Sequence, residues 1–233
     1  MKIFAISDIH GMYEQFEELL KFWDGESTLV ILGDLVDRGP DSYKVVKHVL
    51  DLKRAYGEQV VLCMGNHEQM LLDFLADPQA NRRFYYQVGG RETMASFARH
   101  LDEPPSNPFD LAARVLEVFS DEIALLQSAA LFKVIGGVLF THAGFDSSYA
   151  AFSETTPDDL LWIRDHYLVE NKTPYVNVFG HTPLPQIHDS ADVWCSADQK
   201  YIGIDGGCYF SGQLNAVLLT EQGELVQTYS VKR

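Results

Sequence analysis

The stretch TLVILGDLVDRGPDSYKVVKHVLDLKRAYG, residues 28–57, holds a strand, a loop and a helix in succession. TLVIL (28–32) is a short apolar run of the kind buried in a sheet. Pro40 and Asp41 suit a helix start and Gly57 a helix end. Between them Val45, Val46, Val49, Leu50 and Leu52 recur on one face. Working outward, KIFAIS (2–7) and QVVLCM (59–64) read as further buried strands, and YEQFEELLKFW (13–23) as an amphipathic helix. Strands alternating with helices predict an α/β fold whose largely parallel sheet is covered on both faces.

The pattern then changes. Residues 68–130 carry helical periodicity, broken by DEPPSNP at 102–108, and read as a helical insertion beside the sheet. LFKVIGGVLFTH (131–142) predicts a hairpin turning at Gly136-Gly137. After YVNVFGHT (175–182) the chain is rich in β-type residues, in VWCS, KYIGID, LNAVLLT and ELVQTYS. With no repeat, low-complexity segment or linker, residues 1–233 read as one domain.

Composition narrows the function. Hydrophobic residues make up 46% of the 233, enough for a sizeable core. The formal net charge of -15 argues against a broad nucleic-acid surface, which needs clustered Lys and Arg. Three cysteines, Cys63, Cys195 and Cys208, in no CxxC spacing, suggest a reducing compartment. MKIFAISDIHG turns acidic too soon for a secretory signal. No apolar run approaches the ~20 residues that span a bilayer. A cytoplasmic protein with no membrane partner is expected, and a monomer is the default.

The chemistry gathers where strands end. The first strand runs into Ser7-Asp8-Ile9-His10-Gly11. The second runs into Gly33-Asp34 and then Asp37-Arg38-Gly39, the third into Gly65-Asn66-His67-Glu68. The hairpin ends in Thr141-His142-Ala143-Gly144, and a later strand in Gly180-His181-Thr182. Ligands of α/β sheets bind beyond the carboxyl ends of the strands. Any one of these residues could be an ordinary turn or capping residue; five strand ends with the same character point to a shared site. Alternation in an extended segment would send Asp8 and His10 to the same side. Carboxylates and imidazoles without a thiolate suit Mn, Fe or Zn. So many ligands serve two metals more naturally than one, with Asp34 as the shared carboxylate.

SDIHG, GDLVDRG, GNHE, HAG and GHT, in this order, resemble the signature of calcineurin-like metallophosphoesterases. GDLVDRG with GNHE is most similar to the branch that holds bacterial and phage-type serine/threonine protein phosphatases and symmetrical diadenosine tetraphosphate hydrolases. IGIDGGCYFSGQLNAVLL resembles that family's closing strands, so the likeness covers nearly the whole chain. It implies two packed mixed β-sheets flanked by helices, a stacking that periodicity alone did not predict. It implies that Asp8, His10 and Asp34 hold one divalent metal, and that Asp34, Asn66, His142 and His181 hold the second. A hydroxide shared between the ions would attack phosphorus. His67 would protonate the leaving oxygen, Asp37 would orient His67 and favour its protonated form, and Arg38 would grip the phosphoryl oxygens. Arg164 in LLWIRDHY is the best match for a second phosphate-binding arginine, with Arg91 a weaker one.

The leading expectation is therefore a metal-dependent phosphatase of phosphoserine and phosphothreonine, acting on a phosphoprotein or a phosphorylated small molecule. Symmetrical hydrolysis of a dinucleoside polyphosphate is the alternative. A non-catalytic phospho-binding scaffold is the alternative of another class, and it would be expected to have lost ligands. Glu68 reads as a helix-start residue. His48, His100, His166 and His188 match no motif and are expected in solvent. FYY (84–86) is expected to pack the insertion.

Overall fold

The computed structural model describes residues 2–149 and 151–233. The first half runs β1 (Lys2–Ile6), α1 (Tyr13–Leu20), β2 (Thr28–Ile31), α2 (Ser42–Tyr56), β3 (Val60–Leu62), then α3 (Asn66–Ala76), α4 (Pro78–Gln87), α5 (Gly90–Ala98), α6 (Pro108–Val118) and α7 (Ser120–Gln127). The second half runs β4 (Phe132–Ile135), β5 (Val138–Thr141), α8 (Pro157–Trp162), β6 (Val176–Phe179), β7 (Trp194–Cys195), β8 (Tyr201–Gly203), β9 (Gln213–Thr220) and β10 (Leu225–Lys232).

The described strands form two five-stranded sheets, in the orders β10-β9-β1-β2-β3 and β4-β5-β6-β8-β7. Both are mixed. In the first, β1, β2 and β3 are parallel, β9 runs antiparallel to β1, and β10 runs antiparallel to β9. In the second, β5, β6 and β8 are parallel and β4 and β7 antiparallel. Alternation along each strand divides the core. Ile3, Ala5, Val30 and Val217 join Val138, Phe140, Val178 and Ile202 in one buried cluster between the sheets. Phe4, Ile6, Leu29 and Ile31 join a second cluster with the residues of α1 and α2. Both faces of β1 and β2 are thus covered, which is why residues 3–6 and 29–31 are all apolar. The two stacked, mixed sheets are those implied by the family likeness.

Helices α3–α7 share the second cluster through Phe74, Phe97, Leu111 and Val115. DEPPSNP is the break between α5 and α6, where the Asn107 side chain accepts from Phe109 N at 2.8 Å and caps α6. The hairpin turns as expected, with Ile135 opposite Val138 and Gly136 at φ +58°. Helix α1 stops at Leu20 rather than at Trp23. Trp23 instead donates Nε1 to the Ser27 carbonyl at 2.9 Å, closing the loop that leads into β2.

His166 corrects the expectation of a solvated side chain. It is buried among Phe145, Phe179 and Tyr201 on the outer face of the second sheet. Nε2 bonds Asn177 Oδ1 at 3.1 Å, and Nδ1 has no partner among the described residues. Burial holds its pKa down to about 3, against an ordinary 6.5. The folded state binds the neutral ring, so its contribution is complete above pH 6.5 and is lost as pH falls from 6.5 towards 3. The slope is about 1.4 kcal/mol per pH unit. Urea unfolding with chelator present, for wild type and His166→Gln, is expected to show the difference between the two shrinking by about that amount per unit below pH 6.5. A difference that stays constant from pH 7 to 5 would refute a buried neutral histidine.

Candidate metal centre

The parallel strands of both sheets bring their carboxyl ends together, and the loops beyond them run against one another. Asp8 N donates to Gly33 O, His10 N to Asp34 O and Gly11 N to Leu35 O, at 3.2, 2.8 and 2.8 Å. The loops are strained. Asp8, His10, Asp34, Asp37, Arg38 and His181 have φ between +47° and +70°, and only two other non-glycine residues among those described have positive φ. Such a conformation costs an L residue roughly 1–3 kcal/mol. It falls on the residues singled out from the sequence. It also corrects one expectation: Asp8 and His10 lie in a turn, not in an extended segment, and they meet through that turn.

Asp34 is at the centre. Its Oδ2 is 3.3 Å from His10 Nε2 and 4.0 Å from His67 Nε2, while its Oδ1 is 3.5 Å from His142 Nε2. Two groups could each hold a metal, His10 with Asp34 and His67, and Asp34 with His142 and His181; all of these residues are buried. Asn66, at the start of α3, sets Oδ1 2.9 Å from His142 Nε2. Asp8 stands in neither group. Its carboxylate accepts from His181 N at 3.0 Å and from Ser7 Oγ.

These residues fit a divalent cation. His10 Nδ1 donates to Val36 O and His142 Nδ1 to Leu32 O, both at 2.8 Å. Each neutral ring therefore turns its Nε2 lone pair inward, the tautomer a metal requires. At His142 that lone pair faces the oxygens of Asn66 and Asp34, which repel it unless a cation lies between. His181 Nε2 is buried with no partner among the described residues, a cost that ligation removes. Burial, followed by the neighbouring His142 imidazole, pushes His181 down to about 2. Burial alone would raise Asp34, but the imidazoles of His142, His67 and His10 prevail and hold it well below the usual carboxylate range. His10 is raised on balance, because Asp34 outweighs burial.

Beside this cluster His67 and Asp37 form a buried pair, Nδ1 to Oδ2 at 2.7 Å. Asp37 Oδ1 accepts from Tyr85 and Thr93, both at 2.7 Å. The sequence reading had Asp37 favouring protonated His67. Burial is the larger influence and lowers the His67 pKa, with Asp34 and Asp37 opposing it. Arg38 donates Nη1 to His10 Nε2 at 2.5 Å and Nη2 to His67 Nε2 at 2.9 Å. Arg164 lies past the end of α8 and donates to the His181 carbonyl at 3.1 Å. Arg91 stands over the Tyr86 ring, 5.3 Å from its centroid.

Four residues escaped the sequence reading in part or whole. Glu68 does sit in the first turn of α3, but its carboxylate also accepts from Asp34 N and Leu35 N at 2.7 Å and from Gly65 N at 3.0 Å. Tyr85, expected only to pack, does stack on Phe74 and also bonds Asp37. Thr93 carried no local signal. Asp205 did, since IGID ends a strand in a polar residue beside a glycine, as the other five strand ends do. It is buried, and burial followed by Asp8 raises its pKa.

Over 89 residues the chain is 44% identical to a symmetrical bis(5'-nucleosyl)-tetraphosphatase of Buchnera aphidicola, covering 37% of this chain and only 31% of that relative. It is 28% identical to the asymmetrical bis(5'-nucleosyl)-tetraphosphatase PrpE of a Geobacillus strain, covering 99% of this chain and 94% of that one. Its fold is similar to that of a Saccharomyces cerevisiae protein serine/threonine phosphatase, with a TM-score of 0.66 at 14% identity over 100% of this chain and 80% of the other. Residues 1–216 match the calcineurin-like phosphoesterase family, and the chain belongs to that family.

Proposed function

We propose that the chain is a metal-dependent phosphoesterase that hydrolyses dinucleoside polyphosphates. The observation that carries the chemistry is Asp34, with one carboxylate oxygen towards His10 and His67 and the other towards His142. In this reading Asp8, His10 and Asp34 hold one divalent ion, and Asp34, Asn66, His142 and His181 the other, with Mn, Fe or Zn as the metals such ligands accept. Ions held there supply Lewis acidity and lower the pKa of water to the range of neutral solution.

The chain's own residues do the rest. Arg38 leaves the histidines and clamps the phosphoryl oxygens with its planar fork. Its departure frees His67 Nε2, and the arriving anion favours the imidazolium. His67 then gives its Nε2 proton to the leaving oxygen while Nδ1–H stays on Asp37. Tyr85 and Thr93 hold Asp37 in place. Residues 1–233 act as one catalytic unit, and 68–130 shape the approach to it.

The names of the relatives support a dinucleotide substrate over the phosphoprotein favoured from motifs alone. The fold shared with a serine/threonine phosphatase keeps the phosphoprotein as the second reading. The two are separated by kcat/KM of Mn-loaded protein on diadenosine tetraphosphate and on a phosphothreonine peptide. An advantage of about tenfold or more for the dinucleotide is expected, since binding groups beyond the phosphate contribute to the transition state. Two ADP as products mean symmetrical cleavage, ATP with AMP asymmetrical. An equal advantage for the peptide would overturn the dinucleotide reading.

A further inference from the structure

Arg38 faces two ways. One side of its guanidinium bonds His10 and His67; the group also lies over the Phe210 ring, 5.3 Å from the centroid. Next to it opens a cleft of about 400 Å³, lined by Arg38, Tyr86, Gln87, Glu92, Tyr209 and Phe210.

Both aromatic walls are built. Phe210 is 62% exposed, an unusual position for a large apolar ring. It ends a short helical turn, Cys208–Phe210, whose flanking residues Gly207 and Ser211 both have left-handed φ. Arg233 bonds the Tyr209 carbonyl and covers the Tyr209 ring at 5.4 Å. On the other side Tyr86 carries the Arg91 guanidinium over its ring. That wall is tied to the metal centre by Gly89, whose carbonyl accepts from Arg38 N at 3.2 Å. A Cβ on Gly89, at φ +113°, would come within 2.7 Å of that same nitrogen.

We propose that this cleft is a nucleobase subsite, with the base between Tyr86 and Phe210 and its nucleotide's phosphate on Arg38. The inference rests on the dinucleotide reading above and names where one base sits. Exposed aromatic faces beside a phosphate-gripping arginine suit a planar π-system. Glu92 and Gln87 suit a base rather than a plain phenyl ring, because they offer an acceptor and a donor to its polar edge.

The test is calorimetric binding of AMP and of inorganic phosphate to Mn-loaded wild type, Phe210→Ala and Phe210→Trp, with diadenosine tetraphosphate turnover measured on the same samples. Wild type is expected to prefer AMP by about 5- to 150-fold, the range set by stacking one base on an aromatic ring. Phe210→Ala should lose most of that preference and Phe210→Trp keep it. No preference in wild type, or an unchanged one in Phe210→Ala, overturns the subsite; if the dinucleotide is still hydrolysed, the function stands without it. A preference that Phe210→Ala abolishes, without dinucleotide turnover by wild type, supports the subsite and overturns the dinucleotide function.

Discussion

Replacing Asp34 with asparagine is expected to lower kcat/KM by roughly 10³-fold, the equivalent of about 4 kcal/mol of lost Lewis-acid stabilisation, and to reduce the metal retained after gel filtration. Asparagine keeps the volume and one acceptor oxygen, so the bond from His67 N to Oδ1, 3.1 Å in the native protein, can persist. What goes is the negative charge that offsets two cations in a buried site, and the second anionic oxygen that faces His10. Fold and function therefore separate in this variant. Circular dichroism should be unchanged while metal content and turnover both fall. Near-native turnover would remove Asp34 from its bridging role and with it the two-metal reading.

The second large effect is on stability. Glu68→Ala is expected to cost about 3–6 kcal/mol, because it strands the N–H groups of Asp34, Leu35 and Gly65, each worth ~1–3 kcal/mol when buried without a partner. A cavity in place of a fully buried side chain adds to the loss. Urea unfolding of chelated protein should show a lower midpoint at an unchanged slope. Turnover should fall as well, since the backbone that Glu68 holds is the backbone that sets Asp34. A midpoint within about 0.5 kcal/mol of wild type would mean that water replaces the carboxylate and that Glu68 does not support the loops.

How far the molecule was legible follows from the range of its interactions. β1, β2, β3 and the helix after β2 could be read because their periodicity is local, and the hairpin because Gly136-Gly137 is a turn of defined geometry. The pairing of Ile3 with Leu219, and the packing of Val30 against residues of the other sheet, could not. Nothing in a short apolar run says which sheet it joins. The same division holds at the metal cluster. Asp34, His142 and His181 stand out because each interrupts a strand end with a polar group. Glu68, Tyr85 and Thr93 act across 30 to 60 residues of chain through hydrogen bonds that leave no trace in spacing. His166 was misread because burial, not identity, decides whether a histidine is solvated.

The place of β1 has a consequence for biosynthesis. It lies inside the first sheet, with β2 on one edge and β9 on the other, and Lys2 pairs with Thr220. During translation β2 is soon at hand, whereas β9 emerges some 200 residues later, a delay of about 10–40 s at ordinary elongation rates. Throughout that interval β1 offers an unpaired edge that is apolar from residue 3 to residue 6, the kind of surface that templates aggregation and recruits chaperones. His181, carried beyond β6, is likewise still unsynthesised while Asp8 and Asp34 already protrude from the ribosome. The cation cradle is thus completed late in synthesis, and an ion captured earlier would be held by only part of its ligands.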